Sequence, residues 1–120
     1  MKGSLAILLA LSLGACAERP LPPPALAGAN VERGRELITQ LQCGACHRVP
    51  GVRTARGLVG PPLEGFAGRV YLAGKWPNQP RHLVRWLRDP PAMAPRTAMP
   101  ALVADERDAR DIAAYLYTLD

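Results

Sequence analysis

Apolar residues recur at helical spacing in three stretches of this chain, and between them the spacing disappears. In "NVERGRELITQLQ", residues 30–42, Val31, Gly34, Leu37, Ile38 and Leu41 fall on one helical face, with Asn30 placed as the N-cap. "PRHLVRWLR", residues 80–88, carries Leu83, Val84 and Leu87 on one face. Pro80 suits its first turn, Gln79 is a weaker N-cap than Ser or Thr, and Asp89-Pro90-Pro91 stops it. The last stretch, "ERDARDIAAYLYTL", follows Asp105 as N-cap and aligns Ala109, Ile112, Ala113 and Leu116 into a buried stripe. Its acidic first turn is where the helix dipole favours negative charge. Residues 48–79, rich in glycine and proline, read as loop with no strand signal. The pattern predicts an all-α domain of three to four short helices joined by long loops. So long a loop in so small a domain requires something else to fill the interior.

The N-terminus follows a different logic. Lys2 precedes an apolar run, "LAILLALSLGA", too short to span a bilayer. The run ends in Leu13-Gly14-Ala15-Cys16, which resembles the lipobox of bacterial lipoproteins. That resemblance implies a signal peptide over residues 1–15 and a lipidated Cys16 that anchors the mature chain stably. The plainer alternative is an ordinary signal peptide with Cys16 an incidental thiol. Ala17, not an aspartate, follows Cys16, which by resemblance to Gram-negative sorting rules leans towards the outer membrane. The expected location is therefore the periplasmic side of the outer or inner membrane of a Gram-negative bacterium. Prolines 20, 22, 23 and 24 then favour an extended spacer over residues 16–29. At ~3.1 Å per residue it reaches on the order of 40 Å. The folded domain is expected over residues 30–120.

Export places the remaining cysteines in an oxidising space. "LQCGACHRVPG", residues 41–51, holds Cys43, Cys46 and His47, and three chemistries suit such a cluster: a redox dithiol, half a zinc site, or covalent haem attachment. A closed zinc site needs four protein ligands, and only His82 or a carboxylate is left to complete it. A thioredoxin-like dithiol expects a βαβ context, which is missing. Cys-x-x-Cys-His is the attachment signature for c-type haem. One turn of backbone places the thiols for two thioethers on one porphyrin edge, and the adjacent imidazole lies under the iron. The haem would also fill the interior that the long loop leaves empty. Beyond the signal peptide, Met93 and Met99 are the candidates for a methionine sixth ligand, which favours electron transfer over ligand chemistry.

From Asn30 onwards the chain resembles a class I (mono-haem) cytochrome c. The matching residues are Gly34, Cys43-x-x-Cys46-His47, "GPPLEGFAGR" over residues 60–69, "APRTAMPAL" around Met99 and "DIAAYLYTL" at the end. The resemblance implies the small cytochrome c fold, wrapped around one covalently attached haem c. It implies that Met99, of the Met99-Pro100 pair, is the sixth ligand opposite His47; His82 is the rival and Met93 is left to packing. It implies further that the Pro61 carbonyl receives the His47 imidazole, that Arg69 helps hold a haem propionate, and that Gly34 and Tyr115 mark a close crossing of the first and last helices. Tyr71 and Trp76 are weaker propionate candidates. Arg96 stands where the family usually has glycine. "KWPNQPRHLVRWLRDP" resembles bacterial members found with terminal oxidases or dehydrogenases.

Charge is uneven. Arg48, Arg53, Arg56, Arg69, Lys75, Arg81, Arg85, Arg88 and Arg96 face only Glu64 and Asp89 across residues 48–96, a net of +7, whereas residues 97–120 carry a net of −3. A basic haem-edge face would steer docking onto acidic redox proteins such as a terminal oxidase, dehydrogenase or reductase. The bland alternative is a solvated surface. Export and the absence of an aromatic–basic platform disfavour nucleic acid. The leading expectation is a membrane-tethered electron carrier rather than an enzyme. The alternatives are a haem enzyme or gas sensor with an open sixth site, and a thiol–disulfide oxidoreductase using Cys43 and Cys46.

Overall fold

The computed structural model describes residues 19–120. Asn30 starts the first helix, α1 (Val31–Gln40), by accepting a hydrogen bond from the Arg33 amide at 2.9 Å. Asp105 starts the last, α4 (Glu106–Leu116), in the same way, capping Arg107 N at 2.7 Å and Asp108 N at 3.2 Å. Between them lie α2 (Pro80–Arg88) and the four-residue α3 (Pro90–Met93). Gln79 gives α2 no side-chain cap, as its residue type predicts, and Pro80 occupies the first turn. Asp89 both ends α2 and caps α3 through Ala92 N at 3.2 Å.

The core is the crossing of α1 on α4, with α2 also packed against α4. Ile38, Ile112, Ala109 and Ala113 are each at most 1 % exposed there. Burying each of the two isoleucines contributes ~1.5–3 kcal/mol. The helices approach this closely because Gly34 has no side chain: a Cβ at that position would lie 2.0 Å from the Asp111 carbonyl oxygen. Its partner in direct contact is Asp111, one turn before Tyr115, the residue that the resemblance implies.

Three elements depart from the sequence reading. Within the expected extended spacer over residues 16–29, Pro24–Leu26 wind into a 3-10 turn and Leu26, 2 % exposed, joins the core, so packing begins before Asn30. Residues 71–77 form a small antiparallel hairpin, β1 (Tyr71–Leu72) with β2 (Trp76–Pro77), in which Leu72 faces Trp76. Ala73 (φ 50°) and Gly74 (φ 67°) make its turn, and strands of two residues are too short to show an alternating pattern. The segment after Asp89 also winds into α3, where a loop was expected, because the Asp89 cap compensates for the helix-poor Pro90-Pro91 pair.

Candidate functional site

Helix α1 delivers the chain to the site and then turns sharply. Gln42 takes a left-handed conformation (φ 56°), and Cys43–Ala45 then form a single 3-10 turn. The helical stretch read over residues 30–42 therefore stops at Gln40, and one left-handed residue separates it from the cysteine turn. Cys46 N and His47 N both donate to the Cys43 carbonyl, at 3.2 and 3.0 Å, so Cys43, Cys46 and His47 share one wound segment. All three are half-buried, and both thiols are free. Burial pushes the Cys43 thiol up. A thiol held protonated is a poor nucleophile, contrary to what thiol–disulfide exchange requires. Among the described residues, no three His, Cys, Asp or Glu side chains converge to hold a metal ion, so nothing completes a zinc site.

The His47 imidazole is fixed from behind. Its Nδ1 lies 2.7 Å from the Pro61 carbonyl oxygen. A carbonyl can only accept, so Nδ1 carries a proton, and in the neutral ring the lone pair is then on Nε2. Gly60 makes room for the ring: a Cβ there would come within 2.4 Å of His47 Cε1. Gly60 N also donates to Cys46 O at 2.7 Å, and Gly57 N to Gly44 O at 2.9 Å. These bonds stitch residues 57–61 across the cysteine turn and hold the imidazole in one orientation.

The two methionines differ in burial. Met93 is 3 % exposed and packs inside, whereas Met99 is half-buried against the edge of the core, its amide donating to Thr97 Oγ1 at 3.2 Å. His82, the rival ligand, is half-buried, with Nδ1 2.9 Å from the Pro77 carbonyl and Arg81 Nε 3.4 Å from Nε2. Arg69 bonds the carbonyl of Pro62, lies 3.4 Å from that of Glu64 and sits 5.5 Å over the Phe66 ring, bracing the loop just beyond Pro61. Trp76 Nε1 is 3.4 Å from Met93 O, and Tyr71 is 58 % exposed. Cys16 lies outside the described residues.

Two contacts that support the site escaped the sequence reading. Asp111, only 3 % exposed, accepts from Asn30 N and from Arg33 Nη1, both at 2.7 Å, which locks the start of α1 to α4. The Tyr115 hydroxyl donates to Pro50 O at 2.5 Å, tying α4 to the loop that follows His47. An aspartate within an otherwise apolar helical stripe was the one available signal for the first. The second joins residues 65 positions apart and left no local trace.

Residues 31–120 match the family model described as cytochrome c. The chain is also similar to the cytochrome c oxidase subunit 2 of Alkalihalophilus pseudofirmus, with 34% identity over 107 residues. That alignment covers 88% of this chain and 29% of the relative, so the chain spans less than a third of the relative's length.

Proposed function

The chain belongs to the cytochrome c family, and from that premise we propose that it is a membrane-tethered electron carrier on the periplasmic side, with His47 and Met99 as the axial ligands of its haem. Covalently attached haem c and haem-based electron transfer come with the family itself. The residues of this chain fit the group. Two free thiols share one turn with an imidazole whose Nδ1 is held by a carbonyl, which leaves Nε2 of the neutral ring as the ligating nitrogen. Leu63, Trp76 and Met99 pack against the core and are partly buried, apolar side chains of the kind that would contact the porphyrin.

Cys43 and Cys46 would form the two thioethers, His47 Nε2 would bind the iron as proximal ligand, and Met99 sulfur would take the sixth position. Once bound, the haem supplies an iron that cycles between ferrous and ferric states. The Pro61 carbonyl fixes the tautomer of His47 and raises the basicity of its ligating nitrogen. Methionine in the sixth position raises the potential and leaves no open site for ligand chemistry. The observation that carries this reading is the 2.7 Å bond from His47 Nδ1 to Pro61, made on the same segment as the two free thiols. An enzyme or gas sensor would need an open sixth site with a distal acid–base group. His82, the other histidine of the chain, has Nδ1 already engaged by Pro77.

The relative's name is that of an oxidase subunit, which supports a respiratory partner such as a terminal oxidase or a dehydrogenase. Co-expression with periplasmic haem-attachment machinery, followed by mass and visible spectra, tests the reading. One covalent haem and a far-red methionine–iron band are expected, with the band lost in Met99→Ala. A wild-type chain without covalent haem overturns the proposal, and a band that survives Met99→Ala overturns the ligand assignment. Fatty-acid labelling that disappears in Cys16→Ser is the expected sign of the anchor.

A further inference from the structure

A groove of about 570 Å³ opens between residues 25–26, α2 and the start of α4, and none of Cys43, Cys46, His47, Pro61 or Met99 lines it. Leu26, Val84 and Val103 give it apolar walls, and Arg81, Arg85, Arg88 and Arg110 surround them. Two of these arginines are engaged: Arg88 reaches Glu106 at 3.3 Å, and Arg110 Nη2 donates to the carbonyls of Ala25 and Ala27 at 3.2 and 3.4 Å. Arg81 meets only His82 Nε2, at 3.4 Å, and Arg85 pairs with no carboxylate among the described residues. Asp89, also in the lining, is turned to the Ala92 amide. The uncompensated cations are therefore Arg81 and Arg85, four residues apart on one exposed helix face.

Guanidinium forks match phosphate oxygens bidentately. Apolar side chains between them suit the glycerol and first methylenes of a phospholipid, and a free anion would have no use for them. The position of the groove agrees. Ala25 and Leu26 form part of its lining, so the proline-rich segment, extended at Pro23 (φ −55°, ψ 148°), leaves from its lip. We propose that this groove docks the domain onto anionic phospholipid headgroups of the membrane that holds the tether, and so fixes the domain's orientation with the haem-holding residues on a different surface. The proposal takes the bilayer from the anchored reading above; the groove's own chemistry is independent of it. Tethering keeps the surface at high local concentration, so two arginines suffice, each strengthening the contact roughly five-fold.

The test uses the full haem-loaded chain with vesicles of phosphatidylcholine, alone or with one-third phosphatidylglycerol. Flotation reads attachment, and linear dichroism of the haem band in oriented bilayers reads orientation. An anchored chain should float with both lipids but show an ordered haem only with the anionic one at low salt. Arg81→Gln with Arg85→Gln should abolish the dichroism, while Arg53→Gln with Arg56→Gln, the same charge removed elsewhere, should preserve it. Flotation with anionic vesicles alone, weakened about 25-fold by the Arg81/Arg85 pair, supports the groove and removes the anchor. Flotation with both lipids but without order keeps the anchor and overturns the groove. No flotation overturns both. Equal loss in the two double variants, or displacement by millimolar inorganic phosphate, also overturns lipid docking, the first in favour of bulk charge and the second in favour of a free anion. Order produced only by an acidic protein added to phosphatidylcholine bilayers does so as well, in favour of a protein partner.

Discussion

The crossing of α1 on α4 and the segment from Cys43 to Arg69 are both tightly hydrogen-bonded, yet they complete their packing in opposite ways. At the crossing, protein meets protein: Ile38 and Ile112 are 1 % exposed, and Gly34 brings backbone against backbone. In the second region the backbone is stitched at Gly57, Gly60 and Leu63, but Leu58 and Val59 are 86 % and 77 % exposed and Leu63 is only partly buried. One region ends its apolar contacts on other side chains. The other buries Val49, Val52, Ala55 and Phe66 in the same core but leaves Leu58 and Val59 at the surface beside the cysteine turn. Hydrogen bonds can hold a loop in shape, but they supply little of the burial that makes a fold stable.

The sharpest way to break this comparison is to remove the haem. Cys43→Ser with Cys46→Ser should lose covalent haem by mass and most of its helical circular dichroism, because helices of 10 and 11 residues are marginal without their neighbours. Helicity unchanged in that chain would mean that the crossing stands without the loop half. Next in size is Gly34→Val, which forces a branched side chain into the Asp111 carbonyl. A loss of about 3 kcal/mol is expected by denaturant titration of the haem-loaded protein, with the far-red band kept below the transition. Asp111→Asn should cost about 2 kcal/mol, since Asn30 N and Arg33 lose a buried carboxylate while Arg33 remains partly solvated.

The smallest effect expected is that of Tyr117→Phe. The Tyr117 hydroxyl donates to Asn78 Oδ1 at 2.8 Å, and its loss should cost about 1 kcal/mol. Burial pushes this phenol up from 10.0 to about 12. The folded state thus holds the proton more tightly than the unfolded one. The resulting stability is complete below pH 10 and is lost as pH rises from 10 through 12. Thermal melts across that window should fall more steeply for wild type than for Tyr117→Phe. Equal slopes would show that burial does not raise the Tyr117 phenol.

Much of the helical half was legible because its signals are local. Asn30 and Asp105 cap within three residues, and the apolar stripes repeat within a turn. The Cys43, Cys46 and His47 cluster was legible for the same reason. The 71–77 hairpin was not, because its strands are too short to carry a period, and α3 hid behind two prolines. The distribution of basic residues was the least legible. The run from Arg48 to Arg96 reads as one field, but Arg48 pairs with Glu64 while Arg81, Arg85 and Arg88 line a groove that excludes the haem-holding residues.

The sequence by itself determined which residues cap, which stripes are buried and which three side chains share the attachment turn, since each depends on neighbours a few positions away. Tertiary structure alone decided that Asp111 is buried with a partner and that Tyr115 reaches Pro50. The Pro61 carbonyl behind His47 and the packing of Met93 were instead expected from the family resemblance and not from the residue pattern. Those outcomes depend on which atoms meet once distant segments pack, and neither hydropathy nor charge along a chain encodes that meeting.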